Sequence, residues 1–475
     1  MPSLRKVPLC VKDAYFLEGV RHKDDRGFFQ ELFQYEKYPT ECKTWKQVSQ
    51  SYNVPHVMRG IHRSLYTKVV TCMQGSCYDF VVDLRDDSPT YLQWACVELT
   101  DENRRQMYIP PRCGHGFISS KEGCTILYLQ EGTFDPPNEL DFLWNDNAIG
   151  VRWNEPPNVI MSAKDKIAPT VESRFGSIPY KNDAKRVLVI GASGQLGTAL
   201  CKLWRGSVGT HSTVSGASHC LIHYDLQTAT ESDAAWLLEA VRPDILCVCG
   251  GFTWVDGCER DPAKAMAVNC DGPALLAKLA SSRFRAKVVT YSTDYVFDGS
   301  KGSPYREDDP VCPMNAYGRS KLEGEKKIVE AAPDALIIRT SVVYGPDPQK
   351  KNFACQMLRT QHAGETKKVP TDQVACPSYL VDLARMTKLL MEKDAKGIYN
   401  VVGSEILGRF DFGEKIAPGV GVGFLTTNVD LPTPRPLYCA LDNSKAKEFL
   451  GKDFEMRGVE DAMADWAPTK DDVVQ

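Results

Sequence analysis

The chain has 475 residues, 43% hydrophobic and 25% charged, with a formal net charge of −4 and no basic block, which suits two or three globular domains and excludes nucleic acid and anionic membrane surfaces as expected partners. No run approaches the ~20 apolar residues of a membrane span, and the opening residues MPSLRKVPLC lack the apolar core of a signal peptide. The 17 cysteines are odd in number and none are spaced Cys-x-x-Cys, so zinc-ribbon and thioredoxin-like readings fail and reduced thiols in a cytoplasmic protein are expected.

From Val57 to Trp153 the sequence predicts short strands. CYDFVVDL, YLQWACVEL, RQMYIP and TILYLQEG are β-branched or aromatic runs, punctuated by Gly, Pro, Asp and Asn. That pattern predicts an all-β sandwich or barrel. DDRGFFQE and VMRGIHRS carry the densest charge, and Arg26, Glu31, Arg59, His62 and, just beyond them, Lys68 are polar groups set beside apolar ones. For any one of them a plain surface position is an equal reading, since charged residues are mostly exposed. Barrels often bind metal through His-x-His, but Ser64 stands two residues after His62, so no metal is expected. The polar, proline-bearing APTVESRFGSIPYKNDA that follows reads as a linker.

After Lys185 the pattern changes. RVLVIGA, DILCVCGG, KVVTYSTDYVF and ALIIRTSVVYG alternate with the helical stretches PAKAMAVNCDGPALLAKLASS and SKLEGEKKIVEAA, which predicts a parallel α/β sheet. GASGQLG spaces Gly191, Gly194 and Gly197 for a tight turn, a backbone approach to a pyrophosphate, and close helix–strand packing. A bare glycine turn is the bland alternative. In YGRSK, Tyr317 and Lys321 are four apart and share a helix face. An ammonium there favours the phenolate and lowers the tyrosine pKa, and such a tyrosine can protonate an alkoxide; a solvated Tyr–Lys pair is the alternative. Thr293 ends an apolar strand, where open α/β sheets hold ligands. The segment STVSGASH, at the expected end of the second strand, has no acid to disfavour a 2′-phosphate, which favours NADPH, with NADH the alternative.

With those residues in place, the part from Lys185 onward resembles the extended short-chain dehydrogenase/reductases, and among them the dTDP-4-dehydrorhamnose reductases. GASGQLG, STDYVFDG, SPYREDDPVCPMNAYGRSKLEGE, RTSVVYG and DQVACPS follow that family's order. The resemblance implies Thr293, Tyr317 and Lys321 as catalytic trio and Asp294 and Tyr295 against the sugar. It implies cofactor contacts from Gly191, Gly194, Gln195, Leu196, Gly197, Asp225, Leu226, Gly250, Gly251 and Thr253, with Tyr317 and Lys321. Two departures are Val342, where the family commonly has an aromatic residue, and GGFTWVD in place of AAYTAVD.

The first part resembles the dTDP-4-dehydrorhamnose 3,5-epimerases, through DDRGFFQE, QVSQS, VMRGIH, IPPRCGHGF, FLWNDNAIGVRW and MSAKD. That implies His62 as base oriented by Asp165, Lys68 and Arg59 at the substrate and its oxyanion, and Arg26, Glu31, Gln47 and His115 lining the nucleotide-sugar site. The family's acid tyrosine falls on Phe134, which has no proton to give; a nearby tyrosine, Tyr128, or water is the substitute.

The expected architecture is thus a cupin-type jelly roll at 1–170, a linker at 171–184, and a Rossmann-like parallel sheet with a smaller substrate-binding subdomain at 185–475. The expected function is 3,5-epimerisation of an NDP-4-keto-6-deoxy-D-glucose, then NAD(P)H-dependent reduction at carbon 4 to NDP-L-rhamnose or a related 6-deoxy-L-hexose. One alternative is a slow or single-centre epimerase because of Phe134. Another is a non-catalytic NADP-binding regulator resembling the regulatory subunit of methionine adenosyltransferase. The expected assembly is a homodimer through the cupin domain.

Overall fold

The computed structural model describes residues 5–19, 21–36, 38, 44–135, 138–153, 158–176, 185–204, 207–212, 220–426 and 433–470. The chain forms two compact units, the first reaching to Arg186 and the second starting at Val187, apart from Leu221–His223 and Trp236–Arg242, which group with the first.

In the first unit, antiparallel strands form a nine-stranded sheet. Its main path runs Arg5–Pro8, Tyr15–Glu18, Gln106–Ile109, Lys68–Asp83, Cys113–Gln130, Met58–Arg63, Leu140–Phe142. The two long strands, Lys68–Asp83 and Cys113–Gln130, pair along most of their length, and their register breaks between Ser119 and Cys124. Gly75 and Gly123 sit at that break with φ of +73° and +76°. A Cβ on Gly75 would come within 2.2 Å of the Gly123 carbonyl oxygen, so only glycine lets the strands bend together here. The bend lets the same strands serve both layers of a jelly roll. Met58, Ile61, Phe80, Trp94, Phe142 and Trp153 share one core; Tyr15, Leu17, Val69, Tyr108 and Leu129 form another.

Strands at Arg5–Pro8, Tyr15–Glu18, Arg21–Asp24, Gly27–Gln30 and Gln47–Asn53 lie outside the predicted β-rich span. They are short or rich in charged and amide residues, which hides their alternation. Arg21–Asp24 and Gly27–Gln30 pair as a separate hairpin. Of the stretch read as linker, Val171–Phe175 is a short helix capped by Thr170, with Val171 in the core; 177–184 lie outside the described residues.

The second unit is built on a seven-stranded sheet ordered Cys220–His223, Val208–His211, Val187–Ile190, Ile245–Val248, Lys287–Thr293, Leu336–Thr340, Gly397–Asn400. From Val208–His211 to Gly397–Asn400 the pairings are parallel. The central strands are buried throughout, as sheets covered by helices on both faces require. Strand order reverses beside Val187–Ile190, the switch point where such sheets bind ligands. The predicted helix beginning at Pro262 is three pieces: Pro262–Met266, a π-helical turn Ala267–Asp271, and Gly272–Phe284. A smaller subdomain packs Tyr344, Phe353, Met357, Tyr379 and Phe412 around short two-stranded sheets. Among the described residues no helix is long and apolar enough to cross a membrane.

Candidate functional site

Each unit carries its own cluster of chemistry-bearing residues. In the first, Met58–Arg63 and Cys113–Gln130 run antiparallel with His62 opposite His115. Asp165 projects from the short helix Ala163–Lys166, whose Ser162 cap accepts its backbone N–H. Its Oδ1 lies 2.7 Å from His62 Nε2, and Asp141 is 3.8 Å from the same nitrogen. Burial raises the Asp165 pKa, but the His62 contact outweighs it and holds the carboxyl below its ordinary value. An ionised Asp165 accepts the bond, so Nε2 carries the proton and Nδ1 keeps the lone pair.

His115 forms a second, buried pair with Asp79, at 2.6 Å. There burial dominates and pushes the Asp79 pKa up, against the pull of His115. Lys68 is nearly enclosed, 3.8 Å from Glu139, and burial lowers its pKa with Glu139 opposing. Ser64 and Tyr66 also donate to Glu139. Arg59 Nε donates to Asn53 Oδ1 at 2.9 Å. Tyr128 is hydrogen-bonded to Ser51 and edge-on to His115; burial pushes its pKa up, so it keeps its proton. The Phe134 backbone N–H donates to Gln47 Oε1, while its ring is 58% exposed. Arg26 and Glu31 are exposed on or beside the separate hairpin, and Arg26 pairs with Asp24. The structure therefore brings His62, Lys68, Arg59, Gln47 and His115 onto one group of adjoining strands, adds Asp165 from the short helix against His62, and leaves Arg26 and Glu31 outside it.

In the second unit, Gly191 (φ +81°) closes the turn after Val187–Ile190. A Cβ on it would meet Gly250 Cα at 2.6 Å, and one on Gly197 would meet the Gly191 carbonyl oxygen at 2.3 Å. Gly194 caps the helix Gln195–Leu203, which contains Leu196, without a side-chain bond, leaving its first amides open to a pyrophosphate. Gln195 accepts from Asn352 at 3.0 Å. Leu226 lies against Gly250, and Gly251 against Asn269 and Thr253; the Asp225 carboxylate accepts Gln227 N–H. These residues fit a dinucleotide. Of STVSGASH (212–219), on which the absence of an acid was read, 213–219 lie outside the described residues.

Thr293 ends its strand and Tyr317 and Lys321 lie on the helix Ala316–Ala331. The Tyr295 and Tyr317 rings meet edge-on at 5.9 Å. The expectation that Lys321 lowers the Tyr317 pKa is corrected: desolvation dominates and pushes it up, with the Thr293 hydroxyl contact pulling the other way. Although part of each side chain reaches solvent, protein surrounds most of both. The same burial lowers Lys321 to about 8. Asp294 is buried and accepts from Thr293 (2.9 Å) and Ser341 (2.6 Å), and burial lifts it to about 6. Asp294 and Tyr295 line a cleft together with Val342, Gln373, Arg409 and Phe412. Val342 has φ +41°, rare for a β-branched residue and a point of backbone strain in the cleft wall.

Sequence reasoning missed Asp79, Glu139 and Asp141 in the first unit and Asn269, Ser341 and Arg409 in the second. Asn269 bonds Phe252 N–H and carbonyl and Ser320 from inside the π turn. Its signal was a poor helix former in the middle of a helical run; acids within apolar strands, such as Asp79 in CYDFVVDL, were the other readable signal.

A family model described as RmlD substrate binding domain matches residues 185–465, and one described as dTDP-4-dehydrorhamnose 3,5-epimerase matches 8–173. A dTDP-4-dehydrorhamnose reductase of Streptomyces griseus is 40% identical over 286 residues, covering 55% of this chain and 87% of the relative. The spore coat polysaccharide biosynthesis protein SpsK of Bacillus subtilis is 35% identical over 268 residues, covering 55% of this chain and 91% of the relative. A dTDP-4-dehydrorhamnose reductase of Bacillus anthracis, solved in complex with NADP, superposes with a TM-score of 0.54 at 27% identity, over 60% of this chain and 98% of that one.

Proposed function

The chain belongs, over residues 185–465, to the RmlD substrate binding domain family, and we propose from this, with the epimerase match over 8–173, that it is a bifunctional nucleotide-sugar enzyme. It epimerises an NDP-4-keto-6-deoxy-D-glucose at carbons 3 and 5 and then reduces carbon 4 with NADPH. The domains are taken as 1–170 and 185–475, joined by 171–184. The observation that carries this reading is that each unit holds its own cluster of reactive side chains: the His62–Asp165 pair in the first, and Thr293, Tyr317 and Lys321 in the second.

The ketone at carbon 4 acidifies the hydrogens at carbons 3 and 5. His62, through Nδ1, removes such a proton while Asp165 holds the ring and balances the imidazolium. Lys68, a cation enclosed beside Glu139, stabilises the developing enolate oxygen. Inversion also needs a proton on the opposite face. With Phe134 exposed and without a proton, Tyr128, edge-on to His115 and kept protonated by burial, is the hydroxyl we assign to supply one. A slow or single-centre epimerase is the second reading, favoured by Phe134 alone.

In the reductase, Gly191, Gly194, Gly197, Gly250, Gly251, Asp225 and Leu226 hold the dinucleotide, and NADPH supplies the hydride when bound. Tyr317, kept protonated by burial, gives its proton to the oxygen at carbon 4. Thr293 orients that oxygen, and Lys321 restores the tyrosine proton and holds the nicotinamide ribose. Asp294 and Tyr295 face the sugar.

A cytoplasmic homodimer through the first unit is part of this reading. On the strand Gln47–Asn53, Val48 and Tyr52 are 63% and 70% exposed on one face, apolar area that a second copy would cover. Incubating the protein with an NDP-4-keto-6-deoxyglucose and NADPH in deuterated water, then identifying the sugar by NMR, tests the whole. NADPH oxidation with deuterium at carbons 3 and 5 is expected; a protonated, unreduced sugar refutes it.

A further inference from the structure

Arg409 opens the helix Arg409–Ile416 and reaches the wall of the cleft that holds Asp294 and Tyr295. Its backbone N–H is fixed to the Gln373 carbonyl at 2.8 Å. Its guanidinium stacks on the Phe353 ring at 4.3 Å. The polar groups around it are already committed. Asp294 takes the hydroxyls of Thr293 and Ser341. The neighbouring Arg435 is turned to Asp256 and the Thr433 carbonyl. No hydrogen-bond acceptor or ion-pair partner meets the Arg409 guanidinium among the described residues. Burial depresses its pKa, and Tyr295 and Asp294 offset this only in part.

A half-enclosed guanidinium without an acceptor is costly in the free protein, and a ligand that brings an anion relieves the cost. Under the reading above, the sugar is neutral and the nucleotide's diphosphate is the substrate's one strongly anionic part. The cofactor's own phosphates have their cradle at the glycine turn 191–197. The stacked, planar fork of Arg409 matches two phosphate oxygens, which a point charge would not. We propose that Arg409 binds the diphosphate of the nucleotide-sugar substrate and so reads a nucleoside diphosphate rather than a free sugar.

This inference rests on the proposed reductase activity, and its test separates the two. The full chain is saturated with NADPH and given an already epimerised 4-keto-L-sugar nucleotide, so that only the second unit turns over. Thymidine diphosphate, uridine diphosphate and thymidine are added as competitive inhibitors, for wild type, Arg409→Gln and Arg409→Lys. In Arg409→Gln, both diphosphates should inhibit ~10–100-fold more weakly, the size of a lost charge-assisted pair. Thymidine should inhibit as before, the substrate KM should rise by a similar factor, and kcat and NADPH binding should stay within a few-fold. Arg409→Lys should fall between, because it loses the fork. If Arg409→Gln loses NADPH binding through misfolding, Arg409→Lys decides: wild-type diphosphate inhibition in it overturns the proposal. Equal weakening of thymidine and the diphosphates also overturns it. A wild-type chain that does not oxidise NADPH at all refutes the reductase reading instead.

Discussion

Lys321 is a charge held where the fold disfavours it, and removing it should stabilise the protein while disabling it. Its pKa is lowered from an ordinary 10.5 to about 8, chiefly by burial. Glu325 opposes the shift but is itself bound to Arg339 by two bonds, at 2.9 and 2.7 Å, so little of its charge is left for the lysine. A drop of ~2.5 units corresponds to roughly 3 kcal/mol of unfavourable charge in the folded state, as a ceiling. The sign follows from proton counting. Below pH 8 both folded and unfolded forms are protonated, and the full penalty applies. Between about pH 8 and pH 10.5 the unfolded chain binds the extra proton, so wild-type stability rises with pH and the penalty fades. Lys321→Met keeps the apolar stem and removes the charge. Free of cofactor, it should exceed wild type by up to ~3 kcal/mol at pH 7 and by nothing near pH 10.5. Urea titrations read by hydrogen exchange in peptides from 187–475 would isolate this unit. A variant less stable than wild type at pH 7, or a difference that does not change with pH, would refute the argument. Its reductase kcat should fall in either case.

Three further outcomes follow from the two sites. Tyr317→Phe should cut NADPH oxidation ~10²-fold or more, the loss of a positioned acid, while NADPH binding by fluorescence is retained; wild-type turnover would remove Tyr317 from the reaction. His62→Ala should abolish deuterium uptake at carbons 3 and 5 but leave reduction of an already epimerised substrate intact, and loss of both in a folded variant would contradict independent sites. Tyr128→Phe should slow inversion ~10²–10⁴-fold with less effect on exchange, and Phe134→Tyr should restore it; unchanged inversion in Tyr128→Phe would assign the proton to another donor.

The fold was legible where the pattern had one dominant cause. Four consecutive buried residues at Val187–Ile190 followed by spaced glycines mark a parallel strand entering a tight turn, and no other element competes for that pattern. The outer strands of the first unit, such as Arg21–Asp24, were not, because an exposed hairpin imposes little alternation on its sequence. His62 and Asp165 were named from motifs 103 residues apart, yet their 2.7 Å contact depends on a four-residue helix that no periodicity announces. The direction of the Tyr317 shift was misread for a related reason. Four-residue spacing fixes which face Tyr317 and Lys321 share, while the burial that outweighs their mutual effect comes from elements distant in sequence.

The chemistry of the two proposed reactions fixes their order on any substrate. Epimerisation depends on the ketone, since without it the hydrogens at carbons 3 and 5 are not acidic and His62 has nothing to remove. Reduction destroys that ketone and so locks whatever configuration it finds. A reductase that accepted the unepimerised sugar would drain the pool before the first site acted, so the discrimination has to lie in the second cleft. There the end proposed to take the sugar is walled by Tyr295 and by Val342, the latter held at φ +41°, while the carboxylate of Asp294 is fixed by two hydroxyls. A wall held in a strained conformation on one side and pinned on the other has little freedom to adapt, and rigidity of that kind favours one sugar configuration over its epimer. Joining both units on one chain then raises the local concentration of the intermediate's consumer without requiring a passage between them.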